Sequence, residues 1–131
     1  MKRPPPTAGL RHVALHARNF DDTLAFYRDV MGMAIEWQPD EDNCYLTSGT
    51  DNLALHRAEG SPDEAGQRLD HIGFLVDRMD DVDDWHAFLS DRGVPILHAP
   101  KTHRDGARSC YCSDPEGTTV QIIYHPPLSR E

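Results

Sequence analysis

The sequence predicts an α+β fold of two tandem β-α-β-β-β units. The first observation behind this is a repeat. Leu10–Ile35 (LRHVALHARNFDDTLAFYRDVMGMAI) reappears in outline at Leu69–Ile96 (LDHIGFLVDRMDDVDDWHAFLSDRGVPI). Both read leucine, polar residue, histidine, apolar run, turn, Asp-Asp pair, amphipathic segment and glycine. His12 and His71 are 59 residues apart, and so are the pairs Asp21-Asp22 and Asp80-Asp81. A fixed offset of this kind marks a duplicated supersecondary unit. The second observation is that each repeat switches from alternating to helical spacing and back to short β-like stretches.

Each unit opens with a strand. In RHVALHA, Val13 and Leu15 alternate with His12, Ala14 and His16; in DHIGFLV, Ile72, Phe74 and Val76 alternate with His71, Gly73 and Leu75. One face of each strand is apolar and turned to a helix, and the other carries the histidine. The helices follow. Leu24, Tyr27, Val30 and Met31 have helical spacing, as do Val82, Trp85, Phe88 and Leu89. The Asp pairs fall in the first turns, where the helix dipole favours negative charge. Gly32 and Gly93 are C′ stops. Three short strands then complete each unit: AIEWQP, NCYLTSG and NLALHR in the first, PILHAP, RSCYCS and TTVQIIYH in the second. SGTDN and SDPEG are turn clusters. The whole chain is expected to be one domain over 1–131, with module one at about 9–58, a polar linker over 58–68 and module two at about 69–127.

The bulk numbers suit one domain of 131 residues, with 38% apolar and 27% charged residues. A net charge of −9 argues against nucleic acid and against an anionic membrane surface. No run approaches the roughly 18 apolar residues of a membrane span. The opening MKRPPPTAG has two basic residues and no apolar stretch behind them, so it reads as a short flexible arm and not a signal peptide. Three cysteines, Cys44, Cys110 and Cys112, without a secretion signal suggest reduced thiols and a cytoplasmic location. Cys110 and Cys112 share one face of a strand, where two small core residues are expected ahead of a thiolate pair for metal.

Parity selects the candidate site. The face away from the helices receives His12 and His16, Ala54 and His56, His71, then Ser109, Tyr111 and Ser113, and finally Gln121, Ile123 and His125. Several strands independently bring imidazole, phenol or amide to that face, a donor set suited to Zn, Fe, Ni or Cu. Trp85 belongs to the apolar stripe of its helix, while Trp37 sits in a polar stretch and lines or caps the site. His86 and His98 have no symmetric partner and are expected at the surface, as are Arg11, Arg18 and Arg28.

These residues resemble the vicinal oxygen chelate superfamily, which includes glyoxalase I, fosfomycin-resistance enzymes, bleomycin-binding proteins and extradiol dioxygenases. The resemblance covers Leu10 to about Tyr124. It implies a curved mixed sheet, cupped around a divalent metal, and a homodimer. At the site, THRDGARSCYCSDPEGTTVQ is most similar to extradiol dioxygenases, with His103, Tyr111, Pro115 and Gly117 at matching places. Carried over, His12 and His71 match the two histidine ligands, Gln121 stands where the third ligand is a glutamate, and His56, His103 and Tyr111 match catalytic or substrate-contacting residues. Cys110 replaces a larger apolar residue. Fe(II) is the favoured metal, with Zn(II), Mn(II) and Ni(II) as alternatives, and His56 or His16 is available as a third imidazole beside the weaker amide ligand.

The resemblance therefore implies a metal-dependent, ring-cleaving dioxygenase acting on a small catechol-like substrate; the alternative is a metal-free drug- or metabolite-binding protein of the bleomycin-resistance type. Glyoxalase I lacks its late glutamates here. A phosphonate site fits an acidic chain poorly unless Arg104 and Arg108 sit at its mouth.

Overall fold

Alternation and helical spacing put the elements where the repeat places them. A computed structural model of the chain describes residues 1–60, 69–113 and 117–131. Most of the expected linker and the middle of the SDPEG turn lie outside the described residues. The chain divides into two units, His12–Asp70 and Met1–Arg11 with His71–Glu131.

The first unit runs β1 (Gly9–Ala17), α1 (Phe20–Ala25), a π-type turn (Phe26–Val30), β2 (Ala34–Asp40), β3 (Asn43–Thr47) and β4 (Asn52–Arg57). β2, β3 and β4 form an antiparallel meander, and β4 lies parallel to β1. The second unit runs β5 (Leu69–Val76), α2 (Met79–Asp91), β6 (Ile96–Thr102), β7 (Arg108–Ser113) and β8 (Thr119–Tyr124), closed by a 3₁₀ turn at Pro126–Leu128. It repeats the pattern, with β6, β7 and β8 antiparallel and β8 parallel to β5. The α+β class and the β-α-β-β-β order are thus as the repeat predicts.

The helix-facing sides are the cores. In the first unit Phe20 and Leu24 of α1 meet Ala17, Cys44, Leu46 and Leu55, with Leu15 and Leu53 packed against them. In the second, Val82 of α2 meets Val76, Cys110 and Ile122, flanked by Phe74, Trp85 and Leu89. Trp85 and the cysteines are core residues, as expected. Burial pushes the Cys110 thiol up to about 11, so it stays protonated and offers no thiolate.

Three expectations need correction. The stripe Leu24, Tyr27, Val30, Met31 does not stay on one face: Val30 is 71% and Met31 60% exposed. The Met31 N–H bonds the Phe26 carbonyl, five residues back, at 3.0 Å. Such a turn inserts a residue and rotates the later side chains out of phase. The N-terminal arm is held, since the Ala8 N–H donates to the Leu75 carbonyl (2.6 Å) and Ala8 packs against Leu75, Ala107, Ile123 and Leu128. Arg11 is not simply solvated, because its Nε and one terminal nitrogen are buried.

Helix α2 ends as its glycine requires. Gly93 has φ +75°, its N–H bonds the Ser90 carbonyl, and the Val94 N–H bonds the Leu89 carbonyl. This is the paired bonding of a Schellman stop. A Cβ on Gly93 would meet nothing within 4 Å, so replacement acts through backbone conformation alone. Gly93→Ala is expected to cost roughly 1–2 kcal/mol and Gly93→Asn clearly less, read from urea unfolding midpoints; equal losses would mean that the left-handed conformation is not what Gly93 supplies.

Candidate functional site

Each unit presents a polar sheet face opposite its helix. In the first unit the register pairs His12 with Asn52, Ala14 with Ala54 and His16 with His56. His12 is buried, and its Nδ1–H donates to Asn52 Oδ1 at 2.7 Å. The other side of the Asn52 amide points its Nδ2 at Glu36 Oε1, 3.4 Å away. His56 is held similarly: its Nδ1–H donates to Asn43 Oδ1 at 2.7 Å, and Asn43 Nδ2 donates to Asp40 at 2.9 Å.

In the second unit Gln121 of β8 lies between Gly73 of β5 and Tyr111 of β7. Its Nε2 donates to the Tyr111 hydroxyl at 2.9 Å. Its Oε1 is buried with no hydrogen-bond partner among the described residues. His71 is buried and stands edge-on to the Tyr111 ring at 5.3 Å, and His98 approaches the same ring edge-on at 5.5 Å. His103 Nε2 and the Ser109 hydroxyl share a 2.8 Å hydrogen bond. His125 is buried at the end of β8.

The first unit therefore gathers His12 and His56, each with its amide, and the second gathers His71, Tyr111 and Gln121, with His103 on Ser109 of the same face. The register also limits what His56 and His16 do. Both lie four residues along their strands from the His12–Asn52 pair, about 13 Å at strand rise, so neither serves as a third imidazole beside His12. His16 is instead exposed, 3.7 Å from Asp70.

Sequence reasoning missed Asn52, Asn43, Tyr45 and Glu36; it placed His98 at the surface, where the side chain is exposed yet meets the Tyr111 ring. Asn52 shares parity with Ala54 and His56 and was within reach of the same rule. The cross-strand positions of Trp37 and His98 were not, because β2 and β6 each carry a bulge. Ile35 faces Leu46 on the core side while Trp37 faces Tyr45 on the polar side; Ile96 faces Cys112 while His98 faces Tyr111. Trp37 stacks on Tyr45, centroids 5.4 Å apart. So His98 does have a counterpart, Trp37, at a matching bulge, while its side chain is exposed, as the sequence suggests. Arg108 does not sit free at a mouth: it is committed to Asp83 of α2 through two bonds of 2.7 and 3.0 Å.

A family model of the Glyoxalase/Bleomycin resistance protein/Dioxygenase superfamily matches residues 9–122. The chain belongs to that superfamily. It is 27% identical over 115 residues to a metallothiol transferase FosB from Staphylococcus epidermidis, covering 87% of this chain and 81% of that protein. Among solved structures, the 2,3-dioxygenase LapB from Pseudomonas sp. KL28 matches with a TM-score of 0.76 at 18% identity, over 91% of this chain and 43% of that one. A Mn(II)-bound glyoxalase from Novosphingobium aromaticivorans matches with a TM-score of 0.75 at 23% identity, over 95% and 40%. The chain spans less than half of those two proteins, and the likeness to them is one of fold.

Among the described residues no three of His, Cys, Asp and Glu are grouped to hold a metal, and no helix is long and apolar enough to cross a membrane. Of the donors such a metal would use, Gln121 of the second unit offers a buried amide oxygen, and His12 of the first, with its proton on Nδ1, carries its lone pair on Nε2.

Two consequences are measurable. Tyr111→Phe strands the Gln121 Nε2 donor and should cost about 1–3 kcal/mol in denaturant unfolding; no change would mean that Gln121 finds another acceptor. Desolvation, with Lys101 adding to it and Asp105 opposing, lowers the His103 pKa from 6.5. Below 6.5 the unfolded chain takes up this proton first, so stability present above 6.5 falls as pH drops towards the folded value. An imidazole NMR titration should place His103 below 6.5, and His103→Gln should flatten the stability profile there; a pKa at or above 6.5 contradicts the desolvation argument.

Proposed function

We propose that the chain is a divalent-metal-dependent enzyme acting on a small substrate with neighbouring oxygen atoms, most like a ring-cleaving extradiol dioxygenase. The buried, unpartnered Oε1 of Gln121 carries this reading. Such an atom costs stability unless something uses it, and a cation is what an amide oxygen beside superfamily histidines would serve. His12, His71 and Gln121 are the proposed ligands, with Fe(II) favoured. When bound, the metal polarises and orients substrate oxygens.

The remaining work falls to the chain's own groups. The Tyr111 hydroxyl accepts from Gln121, which leaves it donation towards a substrate oxygen. Burial lowers the His103 pKa and so favours the neutral imidazole, the form that can take a proton. His56 carries its proton on Nδ1 and so presents Nε2 as a base. Trp37 and Tyr45 give the same face aromatic surface for a planar substrate.

A second reading, thiol transfer, is favoured by the match across 81% of a metallothiol transferase, which is far more than the match across the dioxygenase. A third, a metal-free binding protein, is favoured by the neutral amide in place of a carboxylate.

The test begins with metal. Untagged protein is titrated anaerobically with Fe(II), Zn(II), Mn(II) and Ni(II), beside a His12→Ala, His71→Ala double variant. One equivalent bound and lost in the variant supports the enzyme; no binding above the variant leaves the metal-free reading. Oxygen uptake with a catechol panel then supports the dioxygenase, and consumption of a small thiol supports the transferase. Gln121→Glu should tighten metal binding by about 10- to 100-fold while destabilising the metal-free fold by burying a carboxylate. Unchanged affinity would remove residue 121 from the ligand set.

A further inference from the structure

The two hydrogen-bonded chains of the first unit have the same construction. Each runs from a carboxylate through an asparagine to a histidine: Glu36 to Asn52 to His12, and Asp40 to Asn43 to His56. An ionised carboxylate only accepts hydrogen bonds. It therefore draws the NH₂ side of the amide towards itself and turns the amide oxygen to the imidazole. That oxygen also only accepts, so the imidazole nitrogen it meets must carry the proton. The sign of the first group fixes the state of the third.

We infer that Asn52 and Asn43 are positioning residues that hold His12 and His56 in one tautomer, proton on Nδ1 and lone pair on Nε2, with Glu36 and Asp40 setting the polarity. The inference explains why two asparagines occupy this face. The 2.7 Å bonds to both imidazoles are short for neutral partners. The β2–β3 turn reinforces the second chain, because Asp40 Oδ1 accepts both from Asn43 Nδ2 and from the Asp42 backbone N–H, each at 2.9 Å. The first chain is looser at its far end, where Glu36 acts from 3.4 Å and its charge orients the amide more than a close bond does. The roles of the two lone pairs, one for metal and one for a proton, rest on the function proposed above; the tautomers do not.

The test separates the two. Long-range ¹H–¹⁵N NMR of the metal-free protein, at a pH where the imidazoles are neutral, should show His12 and His56 each protonated on Nδ1. Asn52→Ala and Asn43→Ala should each release their own histidine to a tautomer mixture and leave the other unchanged. Asn52→Asp and Asn43→Asp should restore the Nδ1–H form, since a carboxylate accepts the same proton; this rescue distinguishes positioning from mere packing. Asn52→Ala should also weaken Zn(II) binding by about 10- to 100-fold, while Asn43→Ala, about 13 Å along the strand, should not. Protonation on Nε2 in the wild type, or Asp variants that fail to restore Nδ1–H in a folded protein, overturns the inference. Correct tautomers in a protein that binds no metal leave the inference standing and defeat the metalloenzyme reading instead.

Discussion

A polar side chain buried on a sheet face must find a partner there, and this requirement governs the chain's polar faces. His12, Asn52, His71, Ser109, Gln121 and His125 are all buried. Moving such groups out of water without compensation costs enough to unfold a small domain if several are left unpaired. The fold answers by pairing neighbours: His12 with Asn52 and Gln121 with Tyr111 across the ladder, and Ser109 with His103 just beyond β6. The parallel pairing of β1 with β4 and the antiparallel pairing of β7 with β8 make this feasible for His12 and Gln121, because each sets their partners directly opposite. The helix-facing sides do the opposite work and hold two hydrophobic clusters, while a third, Leu75, Ala107, Ile123 and Leu128, continues the face of His71 and Gln121.

Against that background Gln121, among the described residues, stands out on the polar face. Its nitrogen is satisfied and its oxygen is not. An unused acceptor 3% exposed is a cost the fold bears without return in its metal-free state. Leucine at this position would remove that cost and lengthen the apolar run of Val120, Ile122 and Ile123. The amide is kept where a carboxylate would bind a cation more tightly and where an apolar residue would fold more stably. That combination is what a ligand of intermediate strength looks like, and it is also what a former carboxylate site would leave behind.

The fold was legible because its signals are local and doubled. The histidine-led strands, the Asp pairs at helix starts and the terminal glycines recur at one offset, and the structure places each as expected, down to Gly32 and Gly93 in the left-handed region. The polar face was legible where strands run regularly, which covers His12, His56, His71, Tyr111 and Gln121. It was illegible at the two bulges. A period of two carries Trp37 and His98 to the wrong side, because an inserted residue reverses parity without leaving a mark in composition. The π-type turn after α1 hid in the same way, one extra residue in a pattern that otherwise reads as a clean helical stripe. Asn52 was hidden for a different reason: an asparagine carries no metal-ligand signature, and its work here is to orient a ligand.

On the proposed reading, the distribution of charge also constrains the substrate. The groups buried on the polar faces are imidazoles, amides and a hydroxyl, with no carboxylate among them in the described residues. The carboxylates behind them, Glu36 and Asp40, are half-buried and exposed. An interior face without carboxylates spares the metal-free fold the cost of burying unpaired anions. It also means that a divalent cation held by two imidazoles and an amide keeps its full charge, with no carboxylate among its ligands to offset it. Coulombic attraction in a partly desolvated site then favours a ligand that brings negative charge of its own. A chelating group that loses protons as it binds supplies that charge, and a base such as His56 or His103 is the kind of group that would receive them. The loss of the carboxylate thus shifts the balance from metal held permanently by the protein towards metal and substrate held together.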